Sequence, residues 1–179
     1  MKNQSLVRRL QPMLLFALGL LLGSCSKKDT SPTIDFGPNQ GFSPRTSSNM
    51  PSGTQDPTDW TVDGDWNTQE QALFSALPIA VNGAATGSFT GGAYPNPAVT
   101  VVAFNYTIPG TASCKFIVVD NKYRVILENT PSAAAAGQTY HLNLTNSAFQ
   151  KGYLYRIYYL LYNGTTLYLK GHGDIKIAD

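Results

Sequence analysis

Side chains able to do chemistry are few in this 179-residue chain, and they are scattered. The two thiols are Cys25 and Cys114, and the two imidazoles are His141 and His172. No HExxH, CxxC or GxSxG pattern occurs, so neither a metal clip nor an elbow presenting a nucleophilic serine is encoded. Asp63-x-Asp65-x-Asn67 has the spacing of the first three ligands of a calcium loop. Thr68 stands where that loop needs glycine, however, and Phe74 where it needs a bidentate glutamate. A solvated acidic turn with an Asn or Thr helix cap is the stronger expectation. His172 and Asp174 are the one suggestive imidazole–carboxylate pair, but Gly171 and Gly173 around the histidine predict a turn. A glycosidase needs two facing carboxylates at a fixed separation; Asp120, Glu128 and Asp174 are spread over turns and strand ends. Trp60 and Trp66 are the candidate ligand contacts, as a sugar-stacking platform, with packing at the end of a β-sandwich the favoured alternative. Catalysis and cofactors are therefore not expected.

Cys25 has a different context. Lys2, Arg8 and Arg9 make a positive N-terminal region, Met13 to Leu22 is almost unbroken apolar chain, and Leu22-Gly23-Ser24 places small residues just before the thiol. That is the pattern of a signal peptide over residues 1–24. Ten helical residues rise only about 15 Å, against a bilayer core of roughly 30 Å, so this segment is too short to span. Leu22-Gly23-Ser24-Cys25 resembles the lipobox of bacterial lipoproteins. The resemblance implies that Cys25 takes a diacylglycerol, is freed by cleavage before it, and is then acylated on its amine. Membrane lipid would be its partner, and several buried acyl chains, each methylene contributing about 0.8 kcal/mol, would make the anchoring stable. Ser26, rather than an acidic residue, follows the cysteine, which for such lipoproteins implies the outer membrane; Lys28-Asp29 partly matches the pattern of surface-displayed members.

Without residues 1–24 the chain keeps 10 basic and 11 acidic residues, a net charge of −1. No basic run with interleaved aromatics is present, and nucleic acid is not an expected partner. Cys114 is then the lone thiol, in the alternating run Ser113 to Val119 beside Phe116 and Val118, and is read as a small buried hydrophobe. Residues 25–58 are dense in Ser, Thr, Pro, Gly, Asn and Gln, with Ile34, Phe36, Phe42 and Met50 the main apolar exceptions. Composition predicts a flexible, disordered tether there, with an end-to-end distance of about 30 Å.

The module expected to hold these residues occupies 59–179. Its lead-in, 59–93, carries one short helix: Thr68-Gln69-Glu70-Gln71 reads as a capping box and Pro78 ends the apolar run. Beyond it the period is that of strands. Val102, Phe104, Tyr106 and Ile108 share a face; Asp120-Asn121 separates two hairpin strands; Tyr140, Leu142 and Leu144 alternate with polar residues. Tyr153 to Tyr162 is apolar or aromatic on both faces except at Arg156, which predicts a central strand covered on both sides. Asn163-Gly164 predicts a type I′ hairpin, and a last strand is expected at Asp174 to Ile177 after the Gly171-His172-Gly173 turn. Ser132 to Gly137 is read as a loop. About seven short antiparallel strands make an all-β, immunoglobulin-like sandwich with its core at 94–179.

From Tyr94-Pro95-Asn96-Pro97 to Asp179 the chain resembles the C-terminal sorting domains of Bacteroidota type IX secretion. The resemblance is carried by that turn, by a mid-domain hairpin at Val118 to Val125, by Gly152-Tyr153-Leu154-Tyr155, and by a terminal Lys176-Ile177. It implies an immunoglobulin-like module. The hairpin lacks the usual glycine and cargo of that pathway normally has no lipobox. The whole chain resembles small Bacteroidota lipoproteins more closely. The expected function is a lipid-anchored, non-catalytic binding or structural module with a protein or glycan partner. The alternatives are a secretion-related docking domain and a carbohydrate-binding accessory lipoprotein.

Overall fold

The computed structural model describes residues 31–83, 85–107, 112–131 and 137–179. The signal-peptide reading, Cys25, Ile108 and most of the Ser132–Gly137 loop lie outside them. From Pro32 the chain forms one compact unit, built from β1 (Thr61–Val62), α1 (Thr68–Leu73), β2 (Gly91–Tyr94), β3 (Val101–Tyr106), β4 (Ser113–Val119), β5 (Val125–Asn129), β6 (Gln138–Asn143), β7 (Leu154–Asn163) and β8 (Thr166–Lys176).

The fold is an all-β sandwich of two antiparallel sheets, one ordered β1-β8-β7-β4-β5 and the other β2-β3-β6. Counted from β2, strands one, two and five share the small sheet while three, four, six and seven share the large one. That is the immunoglobulin-like arrangement, with the fourth strand beside the third. β1 is an added edge strand supplied by the lead-in. Between the sheets lies the main core, where Val102, Phe104 and Tyr106 meet Phe116, Val118, Ile157, Tyr159 and Leu161. Alternation sends the other residues of the large sheet outward, and there Ile117, Val119, Tyr158 and Leu160 are buried under Ile34, Trp66 and Phe74. β7 is thus covered on both faces, as its sequence predicts. Each fully buried Phe, Ile or Leu on such faces contributes roughly 1.5–3 kcal/mol.

Three expectations are corrected. Residues 32–58 are not a free tether. Ile34 and Phe42 are 7% and 4% exposed, the Ile34 amide donates to Asn121 O at 2.9 Å, and Arg45 and Asn96 exchange backbone hydrogen bonds. A few apolar residues suffice because they bury against the sandwich and need no core of their own. The helix is capped by Asn67, whose side chain accepts from the Gln69 and Glu70 amides while Glu70 answers with the Asn67 amide; the capping box lies one residue before Thr68. Finally, Gly171-His172-Gly173 is no turn: β8 runs through it, paired with Tyr159, Tyr158 and Ile157. A Cβ on Gly171 would collide with the Thr61 carbonyl of β1 and then with the Tyr159 hydroxyl, and one on Gly173 with the Trp60 indole. The glycines make room for the backbone of β1 and for two rings.

The β7–β8 hairpin is where Asn163-Gly164 predicts it, but Asn163 pairs with Thr166, so Gly164 and Thr165 are the central residues. Gly164 has φ +57° and Thr165 is not in the positive-φ region, which fits type II′, with glycine first, better than type I′.

Candidate functional site

Two of the polar side chains singled out by sequence, His172 and Asp174, lie on the outer face of β8, where they project on alternate positions with Lys170. β1 lies beside β8 with Thr61 opposite His172, and this register brings Asp63 to the histidine. His172 Nδ1 is 2.9 Å from both Asp63 oxygens. The same carboxylate accepts the Trp66 indole N–H at 2.7 Å. His172 is therefore partnered by Asp63, 109 residues away in sequence, and not by Asp174. Two residues along, Lys170 is 1% exposed. Its ammonium donates to Val81 O and Asn82 Oδ1 at 2.7 Å each and lies 5.1 Å from the Trp66 ring centre. Burial pushes the Lys170 pKa down, opposed by Asp65, Asp63 and Glu70.

These contacts settle what the candidate residues touch. Asp63 holds Trp66 and His172, and Asn67 caps α1. The described residues contain no group of three or more His, Cys, Asp or Glu placed to hold a metal ion. Trp66 is 3% exposed, packed on Phe74 and edge-on to Tyr158. Trp60, in the positive-φ region at +60°, lies between Gly173, Phe104 and Tyr159. Trp66 is thus buried, while Trp60 stays partly exposed. Cys114 is 1% exposed on the inner face; burial pushes its thiol up to about 12, opposed by a hydrogen bond with Tyr106. His141 is exposed on β6.

A second cluster, which the sequence reading missed, sits at the far end of the same face. Arg156 on β7 stands opposite Asp174 on β8 and grips both its carboxylate oxygens at 2.8 Å. The guanidinium also donates to Asp35 O at 2.9 Å and lies 5.4 Å from the Phe36 ring centre. Burial disfavours its charge, but the hydrogen bonds and field of Asp174 override this and hold its pKa above the ordinary value. Asp59 completes the cluster by accepting the Asp174 amide at 2.6 Å and the Ser43 amide at 2.7 Å. Burial and then the Asp174 charge raise the Asp59 carboxyl to about 7, against the pull of those hydrogen bonds. Asn96, from the Tyr94-Pro95-Asn96-Pro97 turn, is fully buried. Its side chain donates to Asp174 O and Ser43 O and accepts from the Lys176 amide. The one sequence signal for this cluster was Arg156, a charge in an otherwise apolar strand.

Among the described residues, two further surface depressions stand out. One, of about 390 Å³, is lined by Asp120, Arg124, Val125, Ile126, Tyr153 and Leu154 among others, and Val125 and Tyr153 there are 52% and 58% exposed. Asp120 shapes its floor by accepting the amides of Lys122 and Arg124. The other, about 720 Å³, is an open groove between α1 and residues 77–83. Among the described residues no helix is long and apolar enough to cross a membrane. No protein-family model, curated protein or solved structure matches the chain.

Proposed function

We propose that this chain is a lipid-anchored outer-membrane protein, held by acylated Cys25, that presents a non-catalytic β-sandwich as a binding or structural module. One observation carries the module half of this reading. The side chains that sequence offered for chemistry serve the fold: Asp63 and His172 join β1 to β8, Asn67 caps α1, and Trp60 and Trp66 are packed. The lipobox resemblance supports the anchor. The mixed polar and apolar depression at Arg124, Val125 and Tyr153 is the face offered to a protein or glycan partner. The experiment is fractionation of membranes on a density gradient combined with proteinase K treatment of intact cells. The proposal expects outer-membrane density and degradation in intact cells; inner-membrane density contradicts it, and protection until the outer membrane is opened removes surface display.

A second reading, a docking domain related to type IX secretion, is favoured by the immunoglobulin-like strand order from β2 to β8 and by the structural use of Asn96 in the resembling turn. Purification of the tagged chain from outer membranes should recover secretion components under this reading and not under the first.

A further inference from the structure

Residues 32–59 are attached at several places, by Ile34 at Asn121, by Arg45 at Asn96 and by Phe42, and at β8 beyond its pairing with β1 they meet the buried cluster of Arg156, Asp174 and Asp59. The cluster is unbalanced in charge. Arg156 gives both of its carboxylate-facing nitrogens to Asp174, so Asp59 is left with uncharged partners, the amides of Ser43 and Asp174 and the Ser43 side chain. With both acids ionised, two buried negative charges share one guanidinium, and the uncompensated one is the one that ties the end of the segment to β8. Taking an unpaired charge out of water is costly, and protonation removes that cost. We propose that residues 32–59 form a strap whose grip on the β8 edge is set by a proton on Asp59.

The groups facing Asp59 act in the required directions. On β8 the Asp174 carboxylate opposes its ionisation, and His172 reaches it only through Asp174; on β7 Arg156 is committed to Asp174, and Tyr159 feels the Asp59 charge. On the strap itself Asp56 adds negative charge near Asp174 and has one buried oxygen without a partner. When the strap lifts, Asp59 regains water and its ordinary pKa of about 4, whereas closed it titrates at about 7. The closed form therefore binds the extra proton between these values. Acid tightens the strap, and release grows about tenfold per pH unit from about 4 to about 7, levelling above. Lifting exposes the Asp174 amide on the β8 edge and frees the carbonyl that Arg156 holds at Asp35.

Amide hydrogen exchange of the full chain in detergent, from pH 4 to 8 and corrected for the intrinsic pH dependence, tests this directly. Peptides covering residues 43–59 should exchange about tenfold faster per pH unit up to about 7, relative to peptides from β4 and β7, and Asp59→Asn should lower that slope by about one proton. A flat wild-type profile, or equal slopes in the two proteins, overturns the proposal. Should Asp59→Asn not fold, carboxyl carbon NMR of the wild type decides: a midpoint for Asp59 near 7 that coincides with strap exchange supports it, and a midpoint near 4 overturns it.

Discussion

Gly173 faces the indole of Trp60 so closely that a Cβ on it would fall 2.2 Å from the ring. Trp60 itself takes φ +60°, a conformation bulky residues rarely adopt, and its amide donates to His172 O at 2.9 Å. Gly173→Ala should therefore cost about 1–3 kcal/mol through overpacking, seen as a lower urea midpoint. Gly92→Ala is the control, since its Cβ would meet nothing nearer than 3.8 Å; it should change stability by less than about 0.5 kcal/mol.

That relationship also shows what could be read from the sequence. Signals that are local were legible: the Asn163-Gly164 hairpin, the alternation of β3 and β6, and the two apolar faces of Tyr153 to Tyr162, which made β7 central. Gly171-His172-Gly173 misled because glycine is a local turn signal, whereas the cause lies in Tyr159 and in the Trp60 ring and Thr61 carbonyl near the start of the module. His172 was matched to the nearest acid, Asp174, and pairs instead with Asp63 because β1 joins the sheet edge. Residues 32–58 were misread because composition counts apolar residues within a segment. Two of them, with Ser43, Asp56 and Asp59, are buried by surfaces from elsewhere.

Arg156 and Asp174 are 6% and 2% exposed, so removing one partner leaves a buried charge alone. Arg156→Ala should lose about 3–5 kcal/mol, while the double replacement Arg156→Met with Asp174→Leu should lose clearly less. Urea unfolding of the single and double variants checks this; equal losses would mean that packing, not charge, dominates the site.

Gly164 presents a simpler case, with open space around its Cβ position and a φ of +57°. Gly164→Val should cost about 1–2 kcal/mol from backbone strain alone. An unchanged melting temperature would show that the hairpin turn differs from the one described.

Limited proteolysis should leave a resistant fragment beginning near Pro32, because residues from Ile34 on are hydrogen-bonded to the sandwich. Mass spectrometry of the fragment reads its first residue. Rapid cleavage throughout 43–58 at pH 4, where the strap should be tightest, would restore the free-tether expectation.

The anchor at Cys25 underlies the whole functional proposal, and Triton X-114 partitioning of wild type and Cys25→Ser expressed in a bacterial host with lipoprotein processing tests it most directly. The account predicts wild type in the detergent phase with an acylated N-terminal cysteine by mass spectrometry, and the variant unlabelled by lipid and absent from that phase. A Cys25→Ser protein that still enters the detergent phase, or a wild type with no lipid on Cys25, would contradict it.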